Sequence, residues 1–109
     1  MAKKDVTLRV EEWRALRDAL GASGLPRDVE SSVRQHRLWE VLDMAVNGAT
    51  EAETTLGLLS AQRTMLIRVL QEPPIPWRTD AAPRIWKLMA ALGYKLPEVE
   101  EPDDEEVDA

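Results

Sequence analysis

The sequence predicts a mainly α fold: a four-helix domain built from two αα-hairpins, with room for a short two-stranded ribbon and an acidic C-terminal tail. Three observations carry this prediction. Apolar residues recur every three or four positions in four stretches, and Gly or Pro punctuates the gaps between them. The pattern of the first half returns in the second. Negative charge is concentrated in residues 97–109.

Residues 5–10, DVTLRV, place Val6, Leu8 and Val10 on one side and Thr7 and Arg9 on the other, the two-residue period of a strand. From Glu11 the period changes. Trp13, Leu16 and Leu20 share one helical face while Glu11, Arg14 and Asp18 share another, which predicts a helix over 11–20 that stops at Gly21, with Gly24 in the turn. Leu25 and Pro26 open a second helix over 27–46, since proline is tolerated in a first turn whose N–H groups lack partners. Val29, Val33, Leu38, Val41, Leu42 and Ala45 are expected to face inward, and Asn47 and Gly48 to end the helix.

Residues 49–55 read as a polar linker in which Thr50 and Glu53 have the spacing of a capping box. Leu56 to Leu59 follow, and Ser60 is the expected N-cap of a helix over 61–71 that carries Met65, Leu66, Val69 and Leu70. The run Pro73, Pro74, Ile75, Pro76, Trp77 interrupts the helical pattern. A last helix over 81–92 accommodates Pro83 in its first turn, buries Ile85, Leu88, Met89 and Leu92, and stops at Gly93.

The two halves align. A shift of 50 places Val6 on Leu56, Leu8 on Leu58, Leu16 on Leu66 and Leu20 on Leu70, and a shift of 47 places RLWEVL (37–42) on RIWKLM (84–89). The expected organisation is therefore an internal duplication, with units of about 5–48 and 55–96 inside a helical domain 1–96. It makes Trp39 and Trp86 equivalent, and both are expected in the core at matching places.

Charge divides the chain differently. Eight of the 20 acidic residues lie in 97–109, which has no Lys or Arg; the remaining 12 acids against 14 bases leave residues 1–96 at about +2. A segment so charged and so poor in apolar residues is expected to be disordered. It serves either as a solubilising tail or as a segment that docks on a basic surface.

Function is constrained first by exclusion. With no Cys and a single His, His36, the chain has no thiolate, zinc-finger or His-based triad chemistry, and His36 reads as a surface residue. The five glycines form no phosphate loop, and the adjacent carboxylates Glu11 and Glu12 point to different faces. The expectation is a protein that is not an enzyme, with no cofactor, no metal and no membrane association, located in the cytoplasm. Trp77 and Arg78, on a proline-stiffened loop, have the composition of a binding hot spot; the alternative for Trp77 is that the loop folds back as a lid over the helices. The leading expectation is thus a regulatory or adaptor protein that binds a protein partner; self-association into a homo-oligomer is compatible with it.

The alternative is a nucleic acid. Strand, helix, Gly-containing turn and helix over residues 3–46 resemble the ribbon-helix-helix family of DNA-binding repressors, in which paired strands from two copies enter the major groove. The resemblance implies that Thr7 and Arg9, with Lys3 and Lys4 leading in, face bases and phosphates. Two features depart from that pattern: the second unit has Gly57 and Leu59 where the first has Thr7 and Arg9, and the first helix pair is electrically balanced.

Overall fold

In the computed structural model, which describes residues 3–97, the alternation of DVTLRV becomes strand β1 (Lys4–Arg9), with Val6 and Leu8 buried and its other residues exposed. Its partner comes from the far half of the chain. Strand β2 (Glu53–Leu58) runs antiparallel to β1, with Val6 opposite Leu56, Thr7 opposite Thr55 and Arg9 opposite Glu53. Each strand leads directly into a helix pair: α1 (Val10–Ala22) and α2 (Val29–Asn47) after β1, α3 (Ser60–Gln71) and α4 (Ala82–Ala91) after β2. A 3-10 turn (Thr79–Ala81) precedes α4. The described residues are thus mainly α, and the order strand, helix, helix occurs twice.

The strand-to-helix junctions are built alike. The Arg9 N–H donates to Glu12 Oε1 at 3.0 Å, and the Leu59 N–H donates to Gln62 Oε1 at 2.8 Å. In both, a side chain three residues into the helix holds the backbone at its entrance. The junctions also tie ribbon to helices: the buried Trp13 indole donates to the Thr54 carbonyl at 2.8 Å, and the Arg63 guanidinium donates to the Leu58 carbonyl at 2.6 Å. One apolar cluster joins the elements, with Leu16, Leu20, Leu38, Leu42, Leu58, Leu66, Leu70, Leu88 and Leu92 at or near complete burial. Arg17, partly buried on α1, reaches Asp43 on α2 at 3.1 Å and fixes the first hairpin from its edge.

Several expectations need correcting. α1 does not stop at Gly21 but continues to Ala22. Gly21 is there for closeness: a β-carbon on it would stand 2.7 Å from the Trp39 indole nitrogen. α2 begins at Val29 rather than near Pro26, because the Asp28 carboxylate caps it by accepting the Ser31 N–H at 2.8 Å. That same bond holds the Asp28 carboxyl below its ordinary pKa. Glu53 opens β2 instead of completing a capping box with Thr50; pairing with Arg9 across the ribbon claims it. Ser60 is the first residue of α3, not its cap.

The inward face of α2 is narrower than expected. Leu38, Leu42 and Val46 are buried, whereas Val29, Val33 and Val41 are exposed. At about 100° per residue, Val29 and Val33 fall on the side of the helix opposite Leu42, so one rotation cannot bury both sets. Trp39 is half-buried against the His36 ring, and Trp86 is 52% exposed. Neither is a core residue: Ile85, Leu88 and Met89 occupy the inward face of α4, and Trp86 falls beside it. The acidic residues of 98–109 lie outside the described residues.

Candidate interaction surfaces

Three surfaces gather the residues with chemistry to offer. The first is the outer face of the ribbon, where a two-residue period sends Asp5, Thr7 and Arg9 of β1 and Glu53, Thr55 and Gly57 of β2 to the same side. At its centre the Thr7 and Thr55 hydroxyls share a hydrogen bond of 2.6 Å. Arg9 faces Glu53 across the ribbon and pairs with Glu11 at 3.3 Å. Lys3 and Lys4 are exposed at the start of β1. Two carboxylates, Asp5 and Glu53, thus sit beside the one arginine on this face, and electrostatic attraction for a polyanion is weak at its middle.

The second surface is the 72–81 loop. The Trp77 indole N–H donates to the Leu70 carbonyl at 2.9 Å and so satisfies an end carbonyl of α3, leaving the side chain 37% exposed. Arg78 is exposed and pairs with Asp80 at 3.0 Å. The loop closes one side of a groove of about 580 Å³ lined by Leu70, Ile85 and Leu88, with Arg9, Arg84 and Lys87 and the carboxylates Glu11 and Glu12 around them. Trp77 and Arg78 are neighbours in sequence but do different things: one is pinned to the body, the other stands in solvent.

The third surface was hidden in the pattern of α2. Val29 is 76% exposed and Met44 74%; Val33 lies on the same outward side, Val41 at its flank, and the charged Arg37 and Glu40 stand between Val33 and Met44. Leu25, just ahead of the helix, extends the stripe. Glu30 with Arg34 and His36 with Glu40 form exposed pairs along the same helix. The signal was present in the sequence as an excess: α2 carries more large apolar residues than one helical face can bury.

No family model matches the chain, and no curated protein or solved structure matches it.

Among the described residues, no helix is long and apolar enough to cross a membrane. No group of three His, Cys, Asp or Glu side chains is placed to hold a metal ion among those residues. The six residues singled out from sequence divide between two places: Lys3, Lys4, Thr7 and Arg9 line β1, and Trp77 and Arg78 belong to the loop before α4. The groove brings Arg9 and Trp77 to one lining; Thr7 stays on the ribbon's outer face.

Proposed function

We propose that this chain is a non-enzymatic regulatory protein that acts by binding another protein, with the outer face of α2 as the principal contact. The observation that carries the reading is the stripe of Leu25, Val29, Val33, Val41 and Met44, exposed on a helix whose opposite side is already in the core. Apolar residues exposed at both ends of one helix side, Leu25, Val29 and Val33 at its start and Val41 and Met44 toward its end, with the charged Arg37 and Glu40 between them, make a mixed surface of the type that protein contacts cover. Its occupant in this reading is an apolar helix or groove of a partner protein. The internal duplication belongs to the same reading. It is supported by the repeated element order, by burial of Leu16 with Leu66 and Leu20 with Leu70, and by the equivalent Glu12 and Gln62 contacts at the two helix entrances.

The test is capture of partners by the tagged chain from its native host, in parallel with a Val33→Lys/Met44→Lys variant. Both substitutions are on solvent-facing sites, so stability should change by no more than about 0.5 kcal/mol per site, while a stoichiometric partner of the parent is lost. Retention of every partner by the variant rejects the assignment to α2.

A second reading, duplex DNA, is favoured by one observation: an antiparallel ribbon that turns Thr7 and Arg9 outward, as the ribbon-helix-helix resemblance implies, although here both strands belong to one chain. The carboxylates of Asp5 and Glu53 on that face rank it second. A gel shift that Arg9→Ala abolishes would reverse the order.

A further inference from the structure

Positive charge gathers where α4 lies along β1. α4 runs antiparallel to the strand: its first turns share a groove with Arg9, and Gly93, just past its end, lies beside Lys4. Gly93 adopts φ +100° and closes the helix, the Tyr94 N–H bonding back to the Met89 carbonyl at 2.9 Å. A β-carbon there would meet Arg63 Nε and Lys4 Nζ, each at 4.0 Å. Lys3 lies over Gly57 of β2 together with the Asp5 carboxylate, its Cδ and Asp5 Oδ1 each 3.5 Å from where a β-carbon of that glycine would stand. Arg84 and Lys87 continue the positive charge along α4, across the groove from Glu11 and Glu12 of α1. Among the described residues no carboxylate forms an ion pair with Lys3, Lys4, Arg63, Arg84 or Lys87.

The last described residue, Pro97, follows Gly93 by four positions. From Ala81 to Pro97 the chain has Arg84, Lys87 and Lys95 and no carboxylate; from Glu98 to Asp108 it has eight carboxylates and no cation. We propose that the acidic segment 98–109 docks in cis on the cationic surface formed by Lys3, Lys4, Arg63 and the exposed side of α4. Charge complementarity selects the surface and the point of departure selects the segment. The 12 residues after Pro97 span about 40 Å when extended, against about 20 Å for the six residues of β1, so the segment reaches the whole strip. Tethering supplies an effective concentration on the order of millimolar, enough for a weak polyelectrolyte contact to be populated. In this state the segment occupies the cationic strip that an external polyanion or acidic protein would use, and leaves the outer face of α2 open.

The test uses the full chain and a full-length variant in which the eight carboxylates of 98–109 are converted to their amides. At low salt the 1H–15N resonances of Lys3, Lys4, Arg63, Lys87 and Gly93 should shift between the two proteins. At high salt, where the Debye length contracts to a few ångströms, that difference should vanish. In a Lys4→Glu/Lys87→Glu variant the resonances of 98–109 should move to the positions they take in the isolated peptide. Superposable spectra for residues 3–96 at low salt overturn the proposal, and so do shifts that map to α2. Because the readout lies on β1, α3 and α4, its failure leaves the proposed role of α2 untouched, and loss of partner capture by the α2 variant leaves this result untouched.

Discussion

The two halves of the molecule run through the same elements and spend them differently. In the first, a six-residue connection joins α1 to a 19-residue α2 that shows solvent a second apolar stripe. In the second, a Pro-rich loop and a 3-10 turn join α3 to a 10-residue α4, whose outward side shows Arg84, Trp86 and Lys87. What the halves share is the part that makes the core: strand, helix entrance, and the inward leucines of the first helix. Where they differ is on the outside. A paired architecture therefore needs only its inner surfaces to stay alike, and each outer surface is free to serve a separate contact.

The strongest way to break this comparison is at the shared core. Leu16 and Leu66 are both fully buried at equivalent positions of α1 and α3. Leu16→Ala and Leu66→Ala should each cost about 2–5 kcal/mol, measured by urea unfolding. A Leu66→Ala cost below about 1 kcal/mol would mean that the second half is not held in one cooperative core with the first, and the equivalence of the halves would fail energetically.

A smaller effect separates the hairpins by how closely their helices approach. Gly21→Ala drives a β-carbon to 2.7 Å from the Trp39 indole nitrogen, so Trp39 must leave its place against His36 or α1 must shift. Such overpacking costs about 1–3 kcal/mol. Gly24, three residues on, has open space around the same position, and Gly24→Ala should stay within about 0.5 kcal/mol. Equal effects at the two glycines would show that Gly21 is a helix stop after all and that the contact with Trp39 is not tight.

That pair of glycines also marks where sequence was informative and where it was not. The period of DVTLRV, the face of Trp13, Leu16 and Leu20, and the stop at Gly93 were legible because each is local: period, spacing and a left-handed residue carry their own signal. The role of Gly21 was not legible, since it depends on Trp39, 18 positions away. The rotation of α2 was ambiguous for a related reason. Both Val33 with Met44 and Leu38 with Leu42 make acceptable stripes, and only packing against α1 chooses between them. Trp86 was misplaced because equivalence to Trp39 fixes a position on the helix but not how much of the indole the neighbours cover. The ribbon-facing residues Thr7 and Arg9 followed from alternation alone, whereas their partners Thr55 and Glu53 required the pairing of strands about 50 residues apart.

The smallest expected effect sharpens the contrast between the two second helices. α2 has a side-chain N-cap, Asp28, and α4 has none, entering instead through a 3-10 turn with Pro83 in its first turn. The Ser31 N–H that Asp28 accepts stabilises the carboxylate over the acid, so the folded state holds its pKa down relative to the unfolded chain. A depressed carboxylate contributes stability that is complete above its ordinary pKa and is lost as pH falls through the folded value. The Asn amide of Asp28→Asn offers the same acceptor without titrating. The stability difference between parent and variant should therefore be constant at neutral pH, begin to fall near the ordinary aspartate value of 3.8, and reach its minimum below the depressed one. Chemical unfolding followed at a series of acidic pH values measures it. A parent that gains on the variant as the solution is acidified would reverse the sign, and Asp28 would then be bonded in its protonated form rather than as the cap of α2.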